Sequence, residues 1–388
     1  MVRLLFVSNL FPDTREPYRG LDNATLLHAL AKDWEIRVVA LRPLLPWKRG
    51  AWQPRAADVP LRPNYVRVPY IPKFGGRWNH RLYARAMRQP LDTLRRNWSW
   101  EAALCAWLFP DVCALDRLRP EFDVPLVAIA QGSDVHQYLK MPDRRAVMLK
   151  HLKGASGIVT RSGELARLLT EAGLRKDRLH PIYNGVDAET FYPPLPAERE
   201  DLRAQLGVPR DASIVLFVGN FLPIKNPHLL LESFARLREQ EPERDLRLVL
   251  AGGGPMEAEL RSLAARQGDT VIFAGRQEAP GIARWMRAAD VLALSSDNEG
   301  VPNVILEAFT SGLPVVSTRV GGIAEVHHGE PHGALVPPGD ATAFCEALRN
   351  ILREGRDNAA IARHGAQFTW DTTAKAYQQV IKTALGRV

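Results

Sequence analysis

Two carboxylates, Glu299 and Glu307, stand in the segment Ser295–Gly322, which reads SSDNEGVPNVILEAFTSGLPVVSTRVGG. Between them Gly300 opens a turn, and Pro302 suits the start of a helix, where its missing N–H costs nothing. The pattern therefore predicts a helix from near Asn303 to Gly312. Val304, Ile305, Ala308 and Phe309 would form its sheet-facing side, while Asn303 and Glu307 share the other face one turn apart. The amides of Asn303 and Val304, at the positive end of such a helix, suit a phosphate. Two carboxylates beside them suit hydroxyl groups. Together these groups fit a sugar nucleotide, although an ordinary exposed helix with solvated glutamates would carry the same two residues.

The elements that must position this group are parallel strands. Ala289–Leu294 is a short apolar run of the kind buried on both faces, so Glu299 falls on the loop beyond its carboxyl end, where open α/β sheets bind ligands. Strands are expected at Leu4–Ser8, Ile36–Ala40, Leu104–Trp107, Leu126–Ala130 and Gly157–Thr160, beginning with a βαβ unit. A second set is expected at Ile214–Val218, Leu246–Leu250, Val271–Phe273, Val291–Leu294 and Val315–Ser317, with Pro193-Pro194-Leu195-Pro196 as a stiff linker between the sets. Ala251-Gly252-Gly253-Gly254-Pro255 is a turn and not a dinucleotide fingerprint, because no third glycine falls in place.

From Arg42 to Arg96 arginine, lysine, proline and tryptophan accumulate, and only Asp58 and Asp92 are acidic. Arg77, Arg81, Arg85 and Arg88 recur at helical spacing. A helix over Asn79–Gln89, ended by Pro90, would align them along one side in the company of Trp78, Leu82 and Met87. An anionic membrane surface suits such an element. A solvated helix with its apolar residues packed on the first domain suits it equally, and both readings stay open here.

Composition narrows the field. A chain of 388 residues is comfortable with two cores, and 46% hydrophobic with 24% charged residues is ordinary for a globular protein rather than a disordered one. Cys105, Cys113 and Cys345 lack metal-ligand spacing and a disulfide framework, which fits a reducing compartment. No apolar run is long enough to span a bilayer and no signal-peptide core opens the chain, so a cytoplasmic location is expected. The net charge of +8 implies an acidic partner. Nucleic acid is set aside, because the arginines have no recognised module or aromatic platform around them.

The Glu299-Gly300-Val301-Pro302-Asn303-Val304-Ile305-Leu306-Glu307-Ala308 run, followed by Gly312-Leu313-Pro314-Val315-Val316 and Val320-Gly321-Gly322, resembles the E-x7-E element of retaining glycosyltransferases of family 4. The resemblance extends to Asn184-Gly185-Val186-Asp187, to the turn around Gly253, and to Gly219-Asn220-Phe221-Leu222-Pro223-Ile224-Lys225, similar to a GR-x4-K phosphate loop in which Asn220 replaces the arginine. Gln131-Gly132-Ser133-Asp134 is similar to an HG-x-D loop with Gln131 in place of histidine. Glutamine can hydrogen-bond a sugar hydroxyl but cannot act as a general base near neutral pH.

This resemblance implies the GT-B fold, two Rossmann-like α/β domains facing across an interdomain cleft, here 1–192 and 193–371, with a final helix at 372–388 returning to the first domain. It implies transfer of a hexosyl or N-acetylhexosaminyl group, with retention, from a UDP- or GDP-linked donor to an acceptor hydroxyl. A lipid-linked saccharide or polysaccharide acceptor in bacterial envelope or exopolysaccharide synthesis is expected, with the enzyme peripheral on the inner face of the plasma membrane. Glu307 would hold the ribose, Glu299 the donor sugar, and Lys225 with the amides of Asn303 and Val304 the diphosphate. Gly219, Gly253, Gly300 and Arg276 would line the donor, Arg276 near the base. Gly20 and Asp134 would shape the acceptor-side loops, while Gln131 and Asn220 would complete the catalytic set. No metal or cofactor is expected. A catalytically inactive sugar-nucleotide sensor and a GT-B sugar-nucleotide epimerase remain as rival readings.

Overall fold

The computed structural model describes residues 1–45, 47–355 and 357–387. The chain divides into two compact units, Met1–Asn184 with Trp370–Val388 and Gly185–Thr369. Each is a parallel sheet flanked by helices. In the first unit β1 (Arg3–Ser8), β2 (Glu35–Leu44), β3 (Asn64–Pro69), β4 (Ala102–Ala106), β5 (Leu126–Ala130), β6 (Gly157–Thr160) and β7 (Leu179–Pro181) lie in the order β3-β2-β1-β4-β5-β6-β7. In the second, β8 (Ser213–Asn220), β9 (Leu246–Gly253), β10 (Val271–Gly275), β11 (Val291–Leu294), β12 (Val315–Thr318) and β13 (Gly333–Val336) lie in the order β10-β9-β8-β11-β12-β13. The strand order reverses between β1 and β4 and again between β8 and β11, creating in each unit the crevice where open sheets take ligands.

The central strands form because helices cover both faces, which demands unbroken apolar runs; β4 and β5 are buried at every position. The sequence reading finds these and omits β3, β7 and β13, each an edge strand with a neighbour on one side only. An edge needs less apolar sequence and tolerates proline, as at Pro69 and Pro181.

Two expectations change. The Pro193-Pro194-Leu195-Pro196 run is not the crossing between units, which lies at Asn184–Gly185 rather than at 192. Val186 already bridges to Thr369 and Phe191 is buried, so the prolines belong to the second unit, with Pro196 in the first turn of helix Pro196–Gln205. Nor does Pro90 end its helix, which runs over Asn79–Asn97. Proline removes one helical hydrogen bond, and the burial of Tyr83, Met87 and Leu91 in the core on either side of it compensates. The last helix, Trp370–Ala384, inserts Ala374, Tyr377 and Ile381 into the first unit's core beside Leu4, Phe6 and Leu27.

Candidate functional site

In the second unit two loops leave the sheet on either side of its reversal point. β8 leads to the single turn Pro223–Lys225, after which Asn226 caps helix Pro227–Gln240 by accepting from Leu229 N–H at 3.3 Å. β11 leads to Ser295 and Ser296. The loops are stitched together: Ser295 Oγ shares its proton between Lys225 O at 3.0 Å and Asn226 O at 2.8 Å, and Asp297 N–H donates to Ile224 O at 2.9 Å. Lys225 Nζ consequently meets Glu299 Oε1 in an ion pair, and Ser296 Oγ donates to the same oxygen at 2.7 Å. Both charges are largely shielded, Glu299 at 11% and Lys225 at 24% side-chain exposure, so their attraction is stronger than that of a surface pair.

Helix Asn303–Thr310 begins just beyond Gly300. It buries Ile305, Leu306, Ala308 and Phe309 completely, whereas Val304 is only half-buried. The expected face included Val304 and not Leu306. The helix is covered on a second side by helix Asn358–Gly365, whose Gly365 comes so near that an added Cβ would lie 2.3 Å from Thr310 N. Asn303 and Glu307 are half-buried on this helix one turn apart. The amino end of the helix, with its partial positive charge, therefore lies at the loop that carries Glu299.

Asn220 and Gly253 end β8 and β9 as register partners, with Gly219 paired to Gly252. Arg276, expected near a base, turns toward them: Nη1 donates to Asn220 Oδ1 at 3.4 Å and Nη2 to Gly253 O at 3.5 Å.

In the first unit Asp134 is fully buried and surrounded by backbone donors. Its Oδ1 accepts from the N–H groups of Gln131, Gly132 and Val135 at 2.9–3.0 Å, and its Oδ2 accepts from Leu108 at 2.8 Å. Burial raises its carboxyl above the ordinary range, against those four donors. Asp134 thus holds the loop in shape. Gln131 Nε2 donates to Asn23 Oδ1 at 2.9 Å, and Asn23 Nδ2 donates to Leu10 O at 2.9 Å, so the glutamine is tied to the turn at Gly20. That turn requires glycine: φ is +62° and a Cβ would lie 2.2 Å from Leu10 O.

Sequence reading passed over Asn23, Arg161 and Asp111, and took Asn184 only as part of the Asn184–Asp187 run. Arg161 donates to Asn23 Oδ1 at 3.2 Å and to Asn184 Oδ1, linking β6 to the Gly20 turn. Asp111 is fully buried with Oδ2 accepting from Asn9 N–H at 2.6 Å and Asn9 Nδ2 at 2.8 Å, and burial pushes its carboxyl up to about 7. An aspartate inside the apolar Leu108-Phe109-Pro110-Asp111-Val112 run is the signal that could have found it.

The arginine row does not survive as drawn. Arg77 precedes the helix, stacks on Trp78 at 4.2 Å and pairs with Asp143 at 3.6 Å, while Arg88 pairs with Glu121 at 2.6 Å. Met87, expected beside the arginines, is fully buried because the helix turns its apolar side to the core. Arg81 and Arg85 are exposed.

Both units match known protein families. Residues 10–190 match the family model described as Glycosyltransferase Family 4, and residues 212–354 match that of Glycosyl transferases group 1. A D-inositol 3-phosphate glycosyltransferase of Xylanimonas cellulosilytica is 32% identical over 74% of this chain and 71% of that protein. That of Jonesia denitrificans is also 32% identical, over 76% and 72%. The chain belongs to glycosyltransferase family 4. Among solved structures, Anabaena HepE in complex with UDP superposes with a TM-score of 0.76 over 99% of this glycosyltransferase and 100% of HepE, at 20% identity. Sucrose-phosphate synthase from Thermosynechococcus elongatus gives 0.75 over 100% of both chains at 22% identity. At such identities these structures speak for the fold alone, the two Rossmann-like units of GT-B. Among the described residues no helix of the glycosyltransferase is long and apolar enough to cross a membrane, and no group of three or more His, Cys, Asp or Glu side chains could hold a metal ion.

Proposed function

We propose that this glycosyltransferase binds a nucleoside diphosphate sugar, UDP- or GDP-linked, in its second unit and transfers the sugar with retention to an acceptor hydroxyl, without a metal. The observation that carries the reading is the Lys225–Glu299 pair at the reversal point between β8 and β11. A cation suited to a diphosphate and a carboxylate suited to sugar hydroxyls stand side by side, with a helix amino terminus next to them. As donor enters, Lys225 exchanges Glu299 for phosphate oxygens, and Glu299 turns to the sugar. Glu307, one helical turn past Asn303, takes the ribose hydroxyls.

In the transfer the bond from the anomeric carbon to the phosphate oxygen breaks and its electron pair stays on the diphosphate. The acceptor oxygen bonds to the same face of that carbon, and its proton passes to a phosphate oxygen. Lys225 and the helix dipole act on the charge that grows on the leaving group, so they favour the transition state over the bound substrate. Gln131 has no basic role in this scheme. Anchored to Asn23 through Nε2, it offers its amide oxygen to a hydroxyl.

The relatives' names make an inositol phosphate the first acceptor to test, with lipid-linked saccharides beside it. Contact with an anionic membrane would rest on exposed Arg81, Arg85 and Trp78, and binding to anionic liposomes that fades with salt would support it. The deciding experiment is a thermal-shift screen of UDP-, GDP- and ADP-sugars followed by product analysis. A donor at a hundred times its Kd stabilises by about 2.7 kcal/mol, and an active transferase slowly hydrolyses it without acceptor. No shift with any donor would sink the proposal; a shift without hydrolysis or transfer would favour a sensor, and an isomerised sugar nucleotide an epimerase.

A further inference from the structure

Arg276 lies at the end of β10, yet its guanidinium is held at the end of β8. Register explains how. Gly275 on β10 pairs with Ala251 on β9, and Gly253, two residues further along, pairs with Asn220 on β8. The arginine side chain runs back over β9, where a Cβ added to Gly253 would lie 3.3 Å from both its Cγ and its Nε. Glycine leaves that path open. Nη1 then reaches Asn220 Oδ1 at 3.4 Å and Nη2 reaches Gly253 O at 3.5 Å. Both contacts are long and both acceptors are neutral, so they seat the guanidinium without satisfying its charge. Glu257 Oε2 also faces Gly253, while the Oε1 of the same carboxylate takes both bonds from Arg261, at 2.9 and 3.2 Å. Among the described residues Arg276 makes no ion pair, and its side chain is exposed.

Position 220 is where the phosphate-loop resemblance asks for a cation and this chain has asparagine. The geometry points to Arg276, seated by Asn220, as the second cation on the terminal phosphate of the donor's diphosphate, beside Lys225, and not as a contact to the base. This deepens the proposed function and rests on its diphosphate site. A guanidinium offers paired N–H groups that match two phosphate oxygens, which asparagine cannot do. The charge missing from β8 arrives from β10. An arginine at 220 would occupy the same space, so asparagine and Arg276 form one arrangement.

The test is isothermal titration of UDP and UMP, GDP and GMP, and ADP and AMP into the full chain, together with donor hydrolysis of the sugar nucleotide that the screen selects. Arg276→Ala should weaken the diphosphate that binds by about tenfold to a hundredfold, the scale of one charge-assisted contact. The matching monophosphate should stay within about twofold and hydrolysis should fall in parallel with the diphosphate. Asn220→Arg in the Arg276→Ala background should recover most of both losses by supplying the charge from β8. Equal weakening of monophosphate and diphosphate would assign Arg276 to the nucleoside and overturn the inference, as would failure of the second substitution to rescue. If the unaltered chain binds no nucleoside diphosphate, the donor-site reading itself falls, and this inference with it.

Discussion

Gly321→Ala should silence the enzyme while leaving it folded. Gly321 has φ +53°, and a Cβ there would sit 1.6 Å from the carbonyl oxygen of Glu299. Ordinary contact begins near 3.4 Å, so the Glu299 loop or the Gly321 turn must give way by about 1.8 Å. The turn has little freedom, because Arg319 N–H before it donates to Val336 O on β13 at 2.7 Å and Ile323 after it is fully buried. The displacement therefore falls on Glu299 and breaks its meeting with Lys225. Misplacing a reacting group by about 1 Å can cost a hundredfold, so turnover should fall by at least about that much. The left-handed backbone adds about 1–2 kcal/mol of destabilisation, visible as a few degrees in the melting temperature. Gly339→Ala is the control: φ is +77° with nothing within 4 Å of the new Cβ, so it carries the strain without the clash. Initial rates with donor and acceptor, alongside circular dichroism, measure both effects. Gly321→Ala turnover within threefold of the parent, in a protein that melts like Gly339→Ala, would refute the argument that this contact positions the carboxylate.

Three further outcomes follow from the same geometry. Lys225→Ala should lower turnover by about a hundred- to a thousandfold, the loss of one group that stabilises developing charge; unchanged kcat would remove its diphosphate role. Glu307→Ala should weaken binding of the free nucleoside diphosphate in calorimetry, while Glu299→Ala should spare it and impair only the sugar nucleotide, a division that equal losses in both mutants would defeat. Burial pushes His327 down to about 4, with Nε2 donating to Val315 O at 2.9 Å and Nδ1 accepting from Gly329 N–H at 3.2 Å, which fixes the neutral ring. Between that value and the unfolded 6.5 the unfolded chain binds the extra proton, so the second unit should keep this stability above pH 6.5 and lose about 3 kcal/mol as pH falls toward 4. Denaturant unfolding against pH should show the slope, and His327→Asn should flatten it; an unchanged slope would discard the assignment.

The parts legible in sequence are those set by local rules. A strand covered on both faces must be a continuous apolar run, and Leu126–Ala130, Gly157–Thr160 and Val291–Leu294 occupy the predicted residues. The start of the helix at Asn303 was legible too, because Gly300 and Pro302 follow turn and helix-start preferences. Three of the four edge strands were not: β3, β7 and β13 pair on one side only and leave a weak pattern, whereas β10, also an edge, was read at Val271–Phe273 from its apolar run. Nor did periodicity reveal that the helix through Pro90 would be held by Tyr83, Met87 and Leu91 against the core.

What only the tertiary structure decided is which of these residues meet. Lys225 and Glu299 are 74 positions apart, Gln131 and Asn23 are 108, and Arg276 and Asn220 are 56. Each pair is joined because strand order makes distant loops neighbours: β8 lies beside β11, and β9 bridges β8 to β10. Local sequence encodes a strand's apolar character and the turn that follows it. The choice of neighbouring strand depends on packing of the whole sheet, and that choice places Arg276 against Asn220 and Glu299 against Lys225.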